Sequence, residues 1–169
     1  MTPKIIYMTN IDRRYFMMRR ALDELIADGE MPASSQVVKT EDGSVWSASW
    51  EEKLRGSALV MIRFMGNTIR TKFWTACMHF LSREGIPYYI DAAGSAEEEC
   101  IERVAAKDIE AMKAYSFYGG LTNYKNLWLY VRALFDQDAP AADAPSPICW
   151  AGLYHPGMAK KFMTDLSLY

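Results

Sequence analysis

The sequence predicts a doubly wound α/β module: a parallel sheet of about four strands in the order 2-1-3-4, followed by a helical segment. Three observations lead there. Short apolar runs rich in β-formers alternate with amphipathic helical stripes over the first hundred residues. Ala58–Phe64 (ALVMIRF) is a nearly continuous apolar run, the pattern of a strand covered on both faces. The connections are short, and right-handed crossovers then place helices on both sides of the sheet.

The elements follow in order. Lys4–Thr9 (KIIYMT) reads as the first strand, and Asp12 is placed to cap the helix that follows. From Arg13 to about Gly29, Tyr15, Met18, Leu22, Leu25 and Ile26 recur at helical steps, while Arg13, Arg14, Arg19 and Arg20 read as a solvated face, with an anionic partner as the alternative. Gln36–Thr40 is the second strand, Glu41–Ser44 a turn, and Trp46–Arg55 a short helix with Trp46, Trp50 and Leu54 on one side. The run 58–65 is the third strand, and Gly66-Asn67 breaks it. A helix is expected from Thr68 to Arg83, with Ile69, Phe73, Ala76, Cys77, Phe80 and Leu81 as its stripe. Gly85-Ile86-Pro87 ends that helix, and 87–91 is the fourth strand. Ser95 caps an acidic helix start at Glu97, Glu98 and Glu99. Beyond it only helices are expected: Ile101–Ala105, Asp108–Ser116 and Asn123–Phe135, with Gly119-Gly120 between the last two. Residues 1–137 thus read as one module whose helical extension is 107–137. Residues 138–147 read as a Pro/Ala linker that neither joins a sheet nor builds a core, and 148–169 as the truncated start of a further region.

Composition narrows the classes. With 50% hydrophobic, 24% charged and 13% aromatic residues in 169, the chain fits one globular domain and not a disordered one. Its longest apolar runs fall far short of the ~20 residues needed to cross a bilayer, so no transmembrane segment is expected. Met1–Asn10 lacks a basic leader and a signal-type apolar stretch, and a cytoplasmic location is expected. Nineteen basic against twenty-one acidic residues, a net charge of −2, argue against nucleic acid as a partner. Cys77, Cys100 and Cys149 have no CxxC spacing, and with His79 and His155 they make no zinc set, so free and mostly buried thiols are expected.

The motifs of common chemistries are missing: no GxGxxG, no GxxxxGK[ST] and no GxSxG. Position remains as a guide, because ligands of open parallel sheets bind beyond the carboxyl ends of the strands where strand order reverses. Those ends carry Thr9, Asn10 and Asp12 after the first strand, Arg63, Met65, Gly66 and Asn67 after the third, and Asp91 after the fourth. Asn10, Asp12, Arg63, Gly66 and Asn67 are the candidate ligand-binding residues. Arg63 stands out, since an unpaired charge in an apolar strand costs several kcal/mol. It requires an ion pair with Asp12 or Asp91, or a ligand carboxylate. His79 reads as a structural histidine and His155, before Pro156, as a turn residue. Phe117, Tyr118, Tyr124, Trp128 and Tyr130 have the spacing of packing residues, with stacking on a flat macrocycle as the alternative. No catalytic constellation and no metal site are visible.

Three segments carry a resemblance. Ala114-Tyr115-Ser116-Phe117-Tyr118-Gly119-Gly120, then Asn123-Tyr124-Lys125-Asn126-Leu127, resembles a stretch of the large-subunit family of cobaltochelatase and magnesium chelatase (CobN type). Trp150-Ala151-Gly152-Leu153-Tyr154-His155-Pro156 resembles that family's aromatic-Gly-x-Tyr-His-Pro motif, and Val60–Gly66 its strand ending in Arg-x-Met-Gly. Leu121 departs from the pattern, where Pro often follows the double glycine. The resemblance implies the N-terminal, non-catalytic portion of a much longer subunit that binds a porphyrin or corrin ring. Such a subunit acts with two smaller ones, including an ATP-hydrolysing ring protein, to insert Mg²⁺ or Co²⁺ in chlorophyll or cobalamin synthesis. Gly119, Gly120, Asn123, Tyr154, His155 and Pro156 are the family-motif positions, and no catalytic residue carries over. The whole complex would use Mg or Co and ATP, whereas this portion alone would hold no cofactor and be inactive. The alternative is an independent flavodoxin-like module for a small anion, or an interaction domain presenting 107–137.

Overall fold

β1 (Ile5–Thr9) is buried along its whole length because it is flanked on both edges and covered on both faces. The computed structural model describes residues 3–41, 43–65, 71–91 and 104–147. Within them a four-stranded, all-parallel sheet has the order β2-β1-β3-β4, where β2 is Gln36–Lys39, β3 Leu59–Arg63 and β4 Tyr88–Ile90. Tyr7 lies beside Val37 of β2 and Met61 of β3, and Met61 beside Tyr89 of β4. This is the predicted order, with the apolar runs β1 and β3 in the centre.

The two-residue period of strands sorts the core into two halves. Ile5, Tyr7, Leu59, Met61 and Tyr89 face α1 (Asp12–Ala27), α4 (Ala106–Tyr118) and α5 (Gly120–Ala133). Ile6, Met8, Val60, Ile62, Tyr88 and Ile90 face α2 (Ala48–Leu54) and α3 (Lys72–Arg83). Trp128, fully buried on α5, reaches the Met18 carbonyl of α1 through its indole N–H at 3.3 Å.

Several element ends differ from the sequence reading. Asp12 is not the cap of α1: Ile11 occupies that position, and the Asp12 carboxylate lies in the first turn, 2.7 Å from Lys39 Nζ. α2 begins at Ala48, two residues after Trp46, whose ring packs on Phe73 and Phe80 at centroid distances of 5.5 and 5.7 Å. Thr71 caps α3, its hydroxyl accepting from Trp74 N at 3.2 Å. α4 and α5 adjoin at Gly119, whose φ of +66° breaks the helix, so α5 starts three residues before Asn123. The expected helix start at Thr68, the Ser95 cap with its acidic turn, and the greater part of Ile101–Ala105 lie outside the described residues.

Residues 138–147 contain no helix or strand. They are nonetheless tied to the helical layer, with Ala142 packed against the α1–α5 half of the core. No helix among the described residues is long and apolar enough to cross a membrane.

Candidate functional site

The carboxyl ends of β3 and β4 bring Arg63 and Asp91 together on the face that α1, α4 and α5 cover. The ladder continues one residue past β4, with Asp91 N donating to the Ile62 carbonyl at 2.8 Å, and this sets Asp91 next to Arg63. Arg63 Nη1 donates to Asp91 Oδ1 and, at 3.2 Å, to the Asp91 backbone carbonyl. The two side chains are only 17% and 13% exposed, so the pair offsets a substantial desolvation cost. Ser116 of α4 donates its hydroxyl to the other carboxylate oxygen of Asp91.

The network continues into α1 and α5. Arg14 Nη2 donates to the Ser116 carbonyl at 2.9 Å, and its Nη1 to the Tyr124 hydroxyl at 2.5 Å. Five side chains from β3, the end of β4, α4, α1 and α5 therefore form one chain of contacts. Burial pushes the Tyr7 phenol well up from its ordinary value, with Arg14, Asp91, Tyr124 and Arg63 as the charged and polar groups around it. Burial also raises Tyr124, against the lowering effect of Arg14. Two polar atoms in this cluster are buried without a hydrogen-bond partner among the described residues: the Tyr7 hydroxyl and Arg63 Nε.

Asn10 closes the gap between β1 and β3, where strand order reverses. Its Nδ2 donates to the Met65 carbonyl and its Oδ1 accepts from the Met65 N–H, both at 2.9 Å. A backbone-like pair of hydrogen bonds thus spans the crevice in which such sheets place their ligands. Of the two carboxylates anticipated for Arg63, Asp91 is the partner; Asp12 belongs to Lys39 on the β2 side and does not join the cluster. Gly66 and Asn67 lie outside the described residues, as do Tyr154, His155 and Pro156.

The motif positions that are described act as fasteners. Gly119 holds a left-handed conformation, and Asn123 Nδ2 donates to the Gly119 carbonyl at 2.8 Å. Asn123 also binds the backbone of Ser146, and Asn126 Oδ1 accepts from Asp143 N at 3.1 Å. Tyr124 and Trp128 pack as expected, but Phe117 does not: it is 83% exposed. His79 is exposed on α3. Burial pushes the Cys77 thiol up to about 12, which makes it a poor nucleophile. Among the described residues no group of three or more His, Cys, Asp or Glu is placed to hold a metal ion.

Sequence reasoning assigned Arg14 to a solvated face and did not single out Ser116 or Tyr7. A signal for Arg14 existed: it precedes Met18 by four residues and so shares the buried face with Met18, Ala21, Leu22 and Leu25. Nothing local marks Ser116, whose role depends on the end of a distant strand.

A comparison with protein-family models gives no match, and a comparison with curated protein sequences gives none either. Among solved structures the fold is similar to the catalytic subunit of cobaltochelatase from Mycobacterium tuberculosis, with a TM-score of 0.61 and 14% sequence identity. The likeness covers 86% of this chain but only 11% of that one, and at this identity it is a likeness of fold.

Proposed function

We propose that the chain is a non-catalytic α/β module of the tetrapyrrole-binding large subunit of an ATP-dependent metal chelatase, the kind that inserts Co or Mg. In this reading residues 1–137 form the N-terminal head module, 138–147 its connector, and 148–169, with Tyr154-His155-Pro156, the region that follows. The observation that carries it is the fate of the motif residues. Arg63 goes to Asp91, and Asn123 goes to Gly119 and Ser146, so these positions fasten the module internally. The fold likeness to a cobaltochelatase subunit over 86% of the chain supports the same reading. The module's partners would be the rest of the large subunit and the smaller subunits, including the ATP-hydrolysing ring protein. The tetrapyrrole and the metal ion would be substrates of the whole complex.

The test is deletion of the segment encoding residues 1–137 from the native gene, followed by metal-insertion assays in extracts with corrin and porphyrin rings. Insertion should fall sharply while ATP hydrolysis by the ring protein persists. Unchanged insertion with both rings would overturn the proposal.

A second reading is favoured by one observation: the Tyr7 hydroxyl, in the middle of β1, and Arg63 Nε, at the end of β3, have no hydrogen-bond partner among the described residues. They suit an independent flavodoxin-like module that takes a small carboxylate or phosphate. Calorimetry of the full chain with acetate and with inorganic phosphate separates the two, because the fastening reading expects no heat of binding.

A further inference from the structure

We propose that the corner between α4 and α5 is a recognition groove for an extended Pro/Ala-rich peptide, and that residues 142–146 occupy it as an exchangeable ligand in cis. The inference does not depend on the proposed function. The hydrogen bonds from the helices to this stretch end on its backbone. The Tyr115 hydroxyl donates to the Asp143 carbonyl at 2.6 Å, and Asn126 Oδ1 accepts from Asp143 N at 3.1 Å. Asn123 takes the Ser146 carbonyl and N–H in the same way, at 2.8 and 3.1 Å. The Asp143 and Ser146 side chains themselves are exposed. The groove therefore reads the course of a chain rather than the identity of those two residues.

The pattern of burial gives the ligand its form. Ala142 and Pro145 are half-buried, with Ala142 packed against the core, while Asp143, Ala144, Ser146 and Pro147 are exposed. A period of three residues is that of a polyproline II helix, which Pro-rich chains hold without internal hydrogen bonds. The groove thus asks for a small residue or a proline at two positions three apart, each followed by a residue with an N–H. Register follows from the same rule, because a slip by three would set Pro140, which has no N–H, against Asn126. The groove is set before its ligand arrives. Asn123 Nδ2 also donates to the Gly119 carbonyl at 2.8 Å, which fixes its amide, and the Tyr115 ring rests against Tyr130 with centroids 5.7 Å apart. The segment brings only small side chains to the core, so little apolar area holds it and it can be exchanged.

The test uses the full chain carrying Asp143→Pro and Ser146→Pro. These take away the two N–H donors at exposed positions and free the groove, with Tyr115, Asn123 and Asn126 intact. The probe is the fluorescent peptide DAPAADAPSP, the sequence of residues 138–147, read by anisotropy. The control peptide has Pro at the positions of 143 and 146. A tethered segment competes at millimolar effective concentration, so the released chain should bind the probe at least tenfold more tightly than the native chain. Adding Asn126→Ala should weaken binding about fivefold, roughly the loss of one hydrogen bond, and the control peptide should not bind. In the native chain, excess unlabelled peptide should speed hydrogen exchange at the Asp143 and Ser146 amides severalfold and leave that of Trp128 unchanged. This second measurement carries the test if the double variant does not fold. Absence of saturable binding at millimolar peptide, equal binding of the control peptide, equal affinity in native and released chains, insensitivity to Asn126→Ala, or exchange that the peptide does not change would each overturn it.

Discussion

Asn123 holds Ser146 by both sides of its amide: Nδ2 donates to the Ser146 carbonyl at 2.8 Å and Oδ1 accepts from the Ser146 N–H at 3.1 Å. The same Nδ2 donates to the Gly119 carbonyl, so one buried side chain ties the α4–α5 corner to the segment that leaves α5. Three residues on, Asn126 accepts from Asp143 N, and the Tyr115 hydroxyl donates to the Asp143 carbonyl at 2.6 Å. A stretch with no regular structure thus finds backbone partners in helix side chains.

Asn123→Ala should therefore lower stability by about 1–3 kcal/mol, because three hydrogen bonds go and the Gly119 carbonyl loses its Asn123 partner. Asn123→Asp keeps the acceptor for Ser146 N–H but turns a buried carboxylate oxygen toward the Gly119 and Ser146 carbonyls, and should cost at least as much. Urea unfolding measures the loss, and hydrogen exchange at the Ser146 amide reports whether the segment has come away. An unchanged urea midpoint in Asn123→Ala would count against this role.

The sheet was legible because its signals are local: a short unbroken apolar run bounded by Gly and turn residues suits a covered central strand, and strict alternation of strand and helix points to parallel crossovers. The site was half legible. A charge inside Leu59–Arg63 announces that a partner is needed, but spacing cannot choose between Asp12 and Asp91. Register decides, since Arg63 and Asp91 share one face of neighbouring strands while Asp12 sits over β2 with Lys39. For 138–147, Pro and Ala content tells of no strand and no helix. It says nothing of asparagines on α5 that meet its backbone, because those contacts depend on tertiary placement.

Gly119 offers a backbone test. Its φ is +66°, and a Cβ there would stand 3.1 Å from the Tyr124 hydroxyl oxygen, which Arg14 already holds. Gly119→Ala should cost about 1–3 kcal/mol from backbone strain alone. The loss should shrink in a Tyr124→Phe background, where the contact is relieved and only the strain remains. Equal losses in the two backgrounds would show that the contact contributes nothing.

Alkaline titration should expose the buried phenols. Tyr130, raised to about 12 by burial and by its 2.7 Å bond to Asp108, keeps its proton in the folded chain when an unfolded tyrosine has lost it. Tyr7, Tyr115 and Tyr124 are shifted in the same direction. The unfolded state then binds fewer protons, and stability falls as pH rises. The contribution is present in full below pH ~10 and is lost between about pH 10 and 12. Phenolate absorbance at 295 nm should rise in two stages, the second coinciding with unfolding, and Tyr130→Phe should flatten the decline in urea midpoint above pH ~10.

The Arg63–Asp91 pair should respond unequally to removal of its two halves. Asp91→Ala strands two donors at once, the Arg63 guanidinium and the Ser116 hydroxyl, and leaves a charge in a site only 17% exposed. That should cost about 3 kcal/mol, the low end for breaking a buried pair because some solvent reaches it. Arg63→Ala leaves Asp91 with the Ser116 hydroxyl and a 13% exposed carboxylate, and should cost less. Replacing both, as in Arg63→Met with Asp91→Leu, removes the charges together and should recover much of the loss, since apolar replacement of a buried pair is often near neutral. A double-mutant cycle in urea should therefore return a coupling of about 1–3 kcal/mol between the positions. Strictly additive losses would mean that each side chain is satisfied without the other, and the pair could not then be what seats α4 on the ends of β3 and β4.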